Sequence, residues 1–168
     1  MSTQTGKKDD ADFIQWNPKF ETGIPTIDAQ HKKLVVLCNN LRSAIMKNSS
    51  PEGLNWEGSL ASALRECTDY VQTHFHDEEV LMKAAGYDGL ERHKKEHEAF
   101  TRKVLETAQN FSTISVTGAI QFVKFLYDWI LSHIAHEDML FAKPVMDYYR
   151  ANKDRYPSPQ KEKEFRIF

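Results

Sequence analysis

The sequence holds only two cysteines. Cys38 and Cys67 stand far apart without a CxxC partner, both on apolar stripes of expected helices, and so read as buried free thiols acting as small core hydrophobes. No sign of charge dominates: 22 Lys and Arg against 24 Asp and Glu leave a formal net charge of −2, which disfavours nucleic acid or another polyanion as partner. Apolar and aromatic residues interspersed with charges of both signs argue against a disordered chain. No apolar run reaches the roughly 18 to 20 residues of a membrane span, and the amino-terminal MSTQTGKKDDADF lacks the apolar stretch of a signal peptide. A cytoplasmic protein without membrane contact is expected. No alternating pattern marks a strand. What is present is a chain of 168 residues, a length that favours one domain whose core needs neither disulfide nor structural metal. A metal in such a chain would be functional.

Four segments carry apolar residues at helical spacing, separated by turn signals. The first helix is expected from about Asp28, a candidate N-cap, to Lys47, burying His31, Leu34, Val35, Cys38, Leu41 and Ile45 before NSSPEG ends it. The second runs from about Asn55 to Ala85 with Leu60, Leu64, Cys67, Val71, His74, Glu78 and Leu81 inward, and stops at Gly86. The third, Asp88 to Phe111, turns Leu90, His93, His97, Phe100 and Val104 inward; the fourth, Val116 to Leu140, turns in Ile120, Val123, Ile130 and His133, with a kink or an end near Pro144. Short connections favour antiparallel neighbours. The expected fold is all-α, an antiparallel up-down-up-down four-helix bundle. A domain of residues 1–143 includes an amino-terminal arm that packs through Phe13, Trp16, Phe20 and Ile24. Residues 144–168 form an extension rather than a second domain, in which DYYRANK could continue as helix and FRIF is free to dock on the bundle or on a protein partner.

The informative feature is that ionisable residues occupy core-facing positions on all four helices. Buried carboxylates and imidazoles need one another or a metal, because an unpaired charge in a low-dielectric interior costs several kcal/mol. In HFHDEE, His74 and Glu78 are four apart and share one helix face; in HKKEH, His93 and His97 share the same spacing and can chelate one ion. Either pair alone is common on solvated helices; their joint occurrence is what carries weight. In HIAHED, the i+4 partner of His133 is Glu137, whereas Asp138 lies about 140° away on a regular helix and reaches the same site only through a widened, π-type turn. His31 alone reads as a satisfied, partly buried histidine more readily than as a ligand. His76 and His136 read as surface residues.

Taken in order, Trp16, GIPTIDAQH ending at His31, HFHDEEVLM, HKKEHEAF and WILSHIAHED resemble the hemerythrin family from about Trp16 to Asp138. The resemblance implies seven metal ligands: His93, His97 and His133 on one iron, His31 and His74 on the other, with Glu78 and Asp138 bridging beside a solvent-derived oxo or hydroxo group. It thus sets Asp138 in the place that spacing gives to Glu137, and implies an irregular turn before it. Imidazole and carboxylate without thiolate suit iron. Two ferrous ions at +4, two carboxylates at −2 and a hydroxide at −1 leave only about +1 to bury.

By the same resemblance, the iron with two histidines keeps an open position, and the expected function is reversible binding of molecular oxygen as a carrier or store, not catalysis. Phe75, Trp129, Ile130 and Ile134 flank ligands and are expected to line the oxygen pocket and exclude water. Leucine is common in the family where Ile130 stands, and proline where Asp88 stands. The rival expectations are an oxygen or redox sensor, read out through the arm or extension, and an enzyme acting on peroxide or nitric oxide.

Overall fold

The computed structural model describes residues 12–47 and 55–152, and every regular element among them is helical. Helices α1 (Pro25–Lys47), α2 (Trp56–Ala84) and α3 (Leu90–Gln109) form three rods of the bundle. The fourth is one continuous rod of three parts: α4 (Val116–Trp129), a π-helical segment (Ile130–Glu137) and α5 (Asp138–Ala151). Neighbours run antiparallel. Contacts between α3 and the π segment step in opposite directions along the chain, from His133 with Glu96 to Glu137 with Arg92, and the short turn between Ala84 and Leu90 folds α3 back along α2.

The helix ends follow from local chemistry. Asn55 caps α2, its side-chain oxygen accepting from the Gly58 N–H at 2.9 Å, and Ser115 caps α4 by accepting from Gly118 at 3.2 Å. At the far end of α2, Gly86 takes φ +64°, its N–H reaches the Lys83 carbonyl and that of Tyr87 reaches Met82. This pair of bonds is a Schellman turn, and the left-handed residue it requires favours glycine.

Several sequence expectations need correction. Helix α1 starts at Pro25 rather than Asp28, because proline suits the first helical position, where no N–H is needed. Asp28 serves instead inside the first turn, accepting from the Thr22 N–H at 2.7 Å, the Thr22 hydroxyl at 2.8 Å and the Gly23 N–H at 3.2 Å. Ile120 is 44 % exposed, not inward: from the Ser115 cap, the buried positions are Ala119, Phe122, Val123, Leu126 and Trp129, and Ile120 falls off that stripe. The fourth rod does not end near Leu140 but passes through Pro144 to Ala151. The carbonyl that Pro144 leaves without its helical donor belongs to Leu140, an exposed position that water can serve.

The amino-terminal arm packs through three of the four residues expected, Trp16, Phe20 and Ile24, and adds Ile14 in place of Phe13. Phe20 and Ile14 are buried, Trp16 and Ile24 half-buried, and Phe13 lies on the surface against the Tyr127 ring. Two bonds of 2.9 Å between the Ile14 backbone and the Asn39 amide fasten this arm to α1. The FRIF segment and the whole of NSSPEG lie outside the described residues.

Two apolar clusters form the core. The larger joins Leu34, Cys38, Leu41, Leu60, Cys67, Tyr70, Phe75, Phe100, Phe122, Trp129, Ile130 and Ile134; the smaller joins Met82, Phe141 and Val145. Both cysteines are free and fully buried, and burial pushes their thiols up to about 12, which keeps them protonated and inert.

Candidate metal centre

Between these two clusters lies a group of side chains that no apolar core would tolerate alone. His31, His74, Glu78, His93, His97, His133 and Asp138 are all at most 3 % exposed. The periodicity of the helices brings them together: His74 and Glu78 from α2, His93 and His97 from α3, His31 from α1, His133 from the π segment and Asp138 from the start of α5.

The two carboxylates divide the five imidazoles. Glu78 Oε1 lies 3.3 Å from His74 Nε2 and 3.7 Å from His31 Nε2, while its Oε2 lies 3.3 Å from His93 Nε2 and 3.1 Å from His97 Nε2. Asp138 repeats the pattern, with Oδ2 at 3.1 Å from His31 Nε2 and Oδ1 at 3.4 and 3.1 Å from the Nε2 atoms of His93 and His133. Each carboxylate therefore touches both histidine sets. Potential ligand atoms gather within 4.8 Å of one another in two groups, Glu78 with His93, His97 and His133, and Glu78 with His31, His74 and Asp138.

The route by which Asp138 reaches this place is the π segment. Its backbone N–H donates to the His133 carbonyl five residues back, where a regular helix would bond four back. That extra residue per turn rotates Glu137 out of the site, and Glu137 instead pairs with Arg92 on α3. Spacing alone favours Glu137; the structure places Asp138 among the histidines.

The centre's donor set fits a metal. Among the described residues, His74, His97 and His133 Nε2, both His31 nitrogens, Glu78 Oε1 and both Asp138 oxygens are buried without a hydrogen-bond partner. Such a concentration of unspent lone pairs is costly unless a cation takes them. The outer nitrogens of three imidazoles are fixed: His74 Nδ1 donates to Gln30 Oε1 at 2.9 Å, His97 Nδ1 to Glu79 at 3.2 Å and His133 Nδ1 to Glu96 at 2.8 Å. Each bond holds a ring with its Nε2 lone pair aimed at the centre. The supports extend outward, Gln30 to Asp77 at 2.7 Å and Glu96 to Arg92 at 3.3 Å.

Electrostatics without metal show what a cation must replace. Burial alone would lower the His31 pKa, but the Asp138 and Glu78 carboxylates, 3.1 and 3.7 Å from its Nε2, outweigh it and hold the imidazole up to about 9. His74 goes the other way, pushed down to about 3 by burial. Burial works to raise the carboxyls of Glu78 and Asp138, yet the surrounding histidines hold both below the usual range. In the metal-free chain His31 thus carries a proton, and a cation bound between the carboxylates would take over that positive charge.

Aromatic rings press on the imidazoles. Phe75 stacks on His97 at 3.7 Å between centroids, Trp129 on His133 at 3.8 Å and Tyr70 on His74 at 4.3 Å. Ile130 and Ile134 are completely buried beside them. His76 and His136 are exposed. Sequence reasoning did not single out Tyr70, Gln30, Glu79 or Glu96. Tyr70 sits four residues before His74, a spacing that places it on the same face; the other three adjoin ligand candidates in sequence, where no periodicity distinguishes a support from a solvated polar residue.

A four-helix bundle that buries five imidazoles around two shared carboxylates defines a non-thiolate metal-binding protein of the helical-bundle class. The chain belongs to the hemerythrin family: the family model described as hemerythrin HHE cation binding domain matches residues 22–143. It is 34 % identical over 132 residues to a bacteriohemerythrin of Pseudomonas aeruginosa (strain UCBPP-PA14), covering 79 % of this chain and 81 % of that one. A bacteriohemerythrin of Stenotrophomonas maltophilia (strain R551-3) is 29 % identical, over 79 % of this chain and 82 % of its own. A hemerythrin-like protein of Naegleria gruberi is 31 % identical over 76 % of this chain and 90 % of its own. Among the described residues, no helix is long and apolar enough to cross a membrane.

Proposed function

We propose that this chain binds molecular oxygen reversibly at two non-haem iron ions held by the seven buried residues, serving as a carrier or store rather than as an enzyme. The observation that carries this reading is the unequal division of the imidazoles. Three of them, His93, His97 and His133, face one side of the carboxylate pair and two, His31 and His74, face the other. Were an ion held on each side with Glu78 and Asp138 shared, the side with fewer histidines would leave room for a small ligand. Held by these residues, a pair of ferrous ions would supply the two electrons that oxygen binding requires.

The protein's own contribution is orientation and exclusion. The Nδ1–H bonds to Gln30, Glu79 and Glu96 keep the rings in one tautomer and one orientation. Phe75, Trp129, Ile130 and Ile134, all at most 9 % exposed, enclose the histidines in apolar surface. Such walls keep out the water that would drive irreversible oxidation. A histidine-rich, carboxylate-poor ligand set supports oxygen binding over the chemistry of carboxylate-rich di-iron oxygenases.

The test is the visible spectrum of iron-loaded, anaerobically reduced protein taken through air and back to argon, with iron counted per chain. Two irons and a band that appears in air and disappears under argon are expected. Irreversible oxidation with both irons retained would move the function to a sensor or to an enzyme acting on peroxide or nitric oxide.

A further inference from the structure

We propose that the Tyr70 hydroxyl is a hydrogen-bond donor held for a small anionic ligand at the metal centre. The inference rests on the metal-binding reading above and concerns which ligands that centre retains.

Tyr70 lies one turn before His74 on α2 and stacks on its ring at 4.3 Å with an interplanar angle of 28°. Around it are Phe75 and Phe100, with centroids at 5.6 and 6.1 Å. A phenylalanine would serve that packing equally well and would leave no polar atom to satisfy. The hydroxyl is nevertheless buried, with no hydrogen-bond partner among the described residues. A buried hydroxyl in that condition is destabilising, and natural cores seldom keep one without a use.

The surroundings indicate what the hydroxyl can do. Trp129, stacked on His133, has an indole N–H that also lacks a partner and approaches the Tyr70 oxygen without completing a bond. Indole nitrogen only donates, so this neighbour leaves the phenol proton unspent. The ring it stacks on, His74, has its Nε2 3.3 Å from Glu78 Oε1, so the phenol stands one imidazole away from a shared carboxylate. Tyr70 therefore introduces an O–H donor into a wall of aromatic rings, Phe75, Phe100 and Trp129, whose one other polar atom is the Trp129 indole N–H. It belongs to the side of the centre carrying His74, where the imidazoles are fewer. A small ligand with negative charge, such as azide or a reduced form of oxygen, is the partner this combination suits, because a donor to an anion in a dry site is strong.

The experiment uses the full chain, iron-loaded and oxidised, with azide as the probe. Wild type and Tyr70→Phe are titrated by the azide-to-iron absorption band, and the stretching frequency of bound azide is read by infrared in H2O and D2O. Loss of one bond to a charged acceptor should weaken azide about ten-fold or more in the variant. Iron content should be unchanged and the melting temperature equal or higher, since an unpaired hydroxyl has been removed. The wild-type azide band should shift between H2O and D2O. Equal azide affinity in the two proteins, or a wild-type band indifferent to D2O, would overturn the proposal while leaving the metal centre intact. Iron-loaded wild type that takes up no azide at all would overturn both this proposal and the open position on which it stands.

Discussion

The Asp138 N–H bonds to the His133 carbonyl, and the Asp138 carboxylate then returns to within 3.1 Å of the same residue's Nε2. Backbone and side chain of one residue thereby close on one histidine, and the π segment between them is the device that permits it. Asp138→Ala should lose at least half of the bound iron, because both histidine sets touch that carboxylate. Glu137→Ala should retain all of it and cost about 0 to 1 kcal/mol, the usual worth of a surface ion pair such as Glu137 with Arg92. Metal analysis after desalting, with denaturation curves alongside, separates the two.

Glu96 and Glu79 touch no ligand nitrogen that faces the centre, only the outer nitrogens of His133 and His97. Removing such supports typically costs 10- to about 100-fold in metal affinity. Glu96→Ala and Glu79→Ala should each show that loss in competition with a chelator, with the fold retained by circular dichroism.

Metal uptake should release protons. His31, held up to about 9 by Asp138 and Glu78 once burial's opposing effect is overcome, carries a proton at neutral pH in the metal-free chain and must give it up to bind. Affinity should therefore climb as pH rises toward 9 and level off above it, and an indicator dye should register the proton on loading. The same shift raises the folded pKa above the ordinary 6.5. Its contribution to the metal-free fold is then complete below pH 6.5 and lost as pH rises through 9, which urea titrations of the metal-free protein across that window would record.

Removing the metal should loosen the bundle. The seven buried residues come from every rod, and without a cation their unspent lone pairs must be satisfied by one another. Dialysis against a strong chelator should lower the melting temperature and raise hydrogen exchange first around His74, His97 and His133. An unchanged melting curve would contradict a metal-linked fold.

Much of this was legible in the sequence because buried helical faces repeat. His74 with Glu78 and His93 with His97 sit at i and i+4, and the same spacing that writes an apolar stripe places them together. His31 is less legible, since one histidine at the head of an apolar stripe has a bland reading; only its position opposite Glu78 and Asp138 removes it. Asp138 is invisible to spacing, because a π turn is chosen by tertiary contacts and Glu137 occupies the regular position. Pro144 misleads for a related reason: a helix can run past a proline where the orphaned carbonyl is exposed. Ile120 and Phe13 show that an apolar side chain does not by itself fix which way a helix or an arm is turned. The supports Gln30, Glu79 and Glu96 are ordinary polar residues until the neighbouring rod is known.

Glu78 offers one oxygen to each histidine set, so the two halves of the centre are not independent compartments. Whatever settles one oxygen in place also sets the direction of the other. On the two-ion reading, filling either half preorganises its neighbour, and loading becomes cooperative: the half-filled protein is a scarce species rather than a resting state.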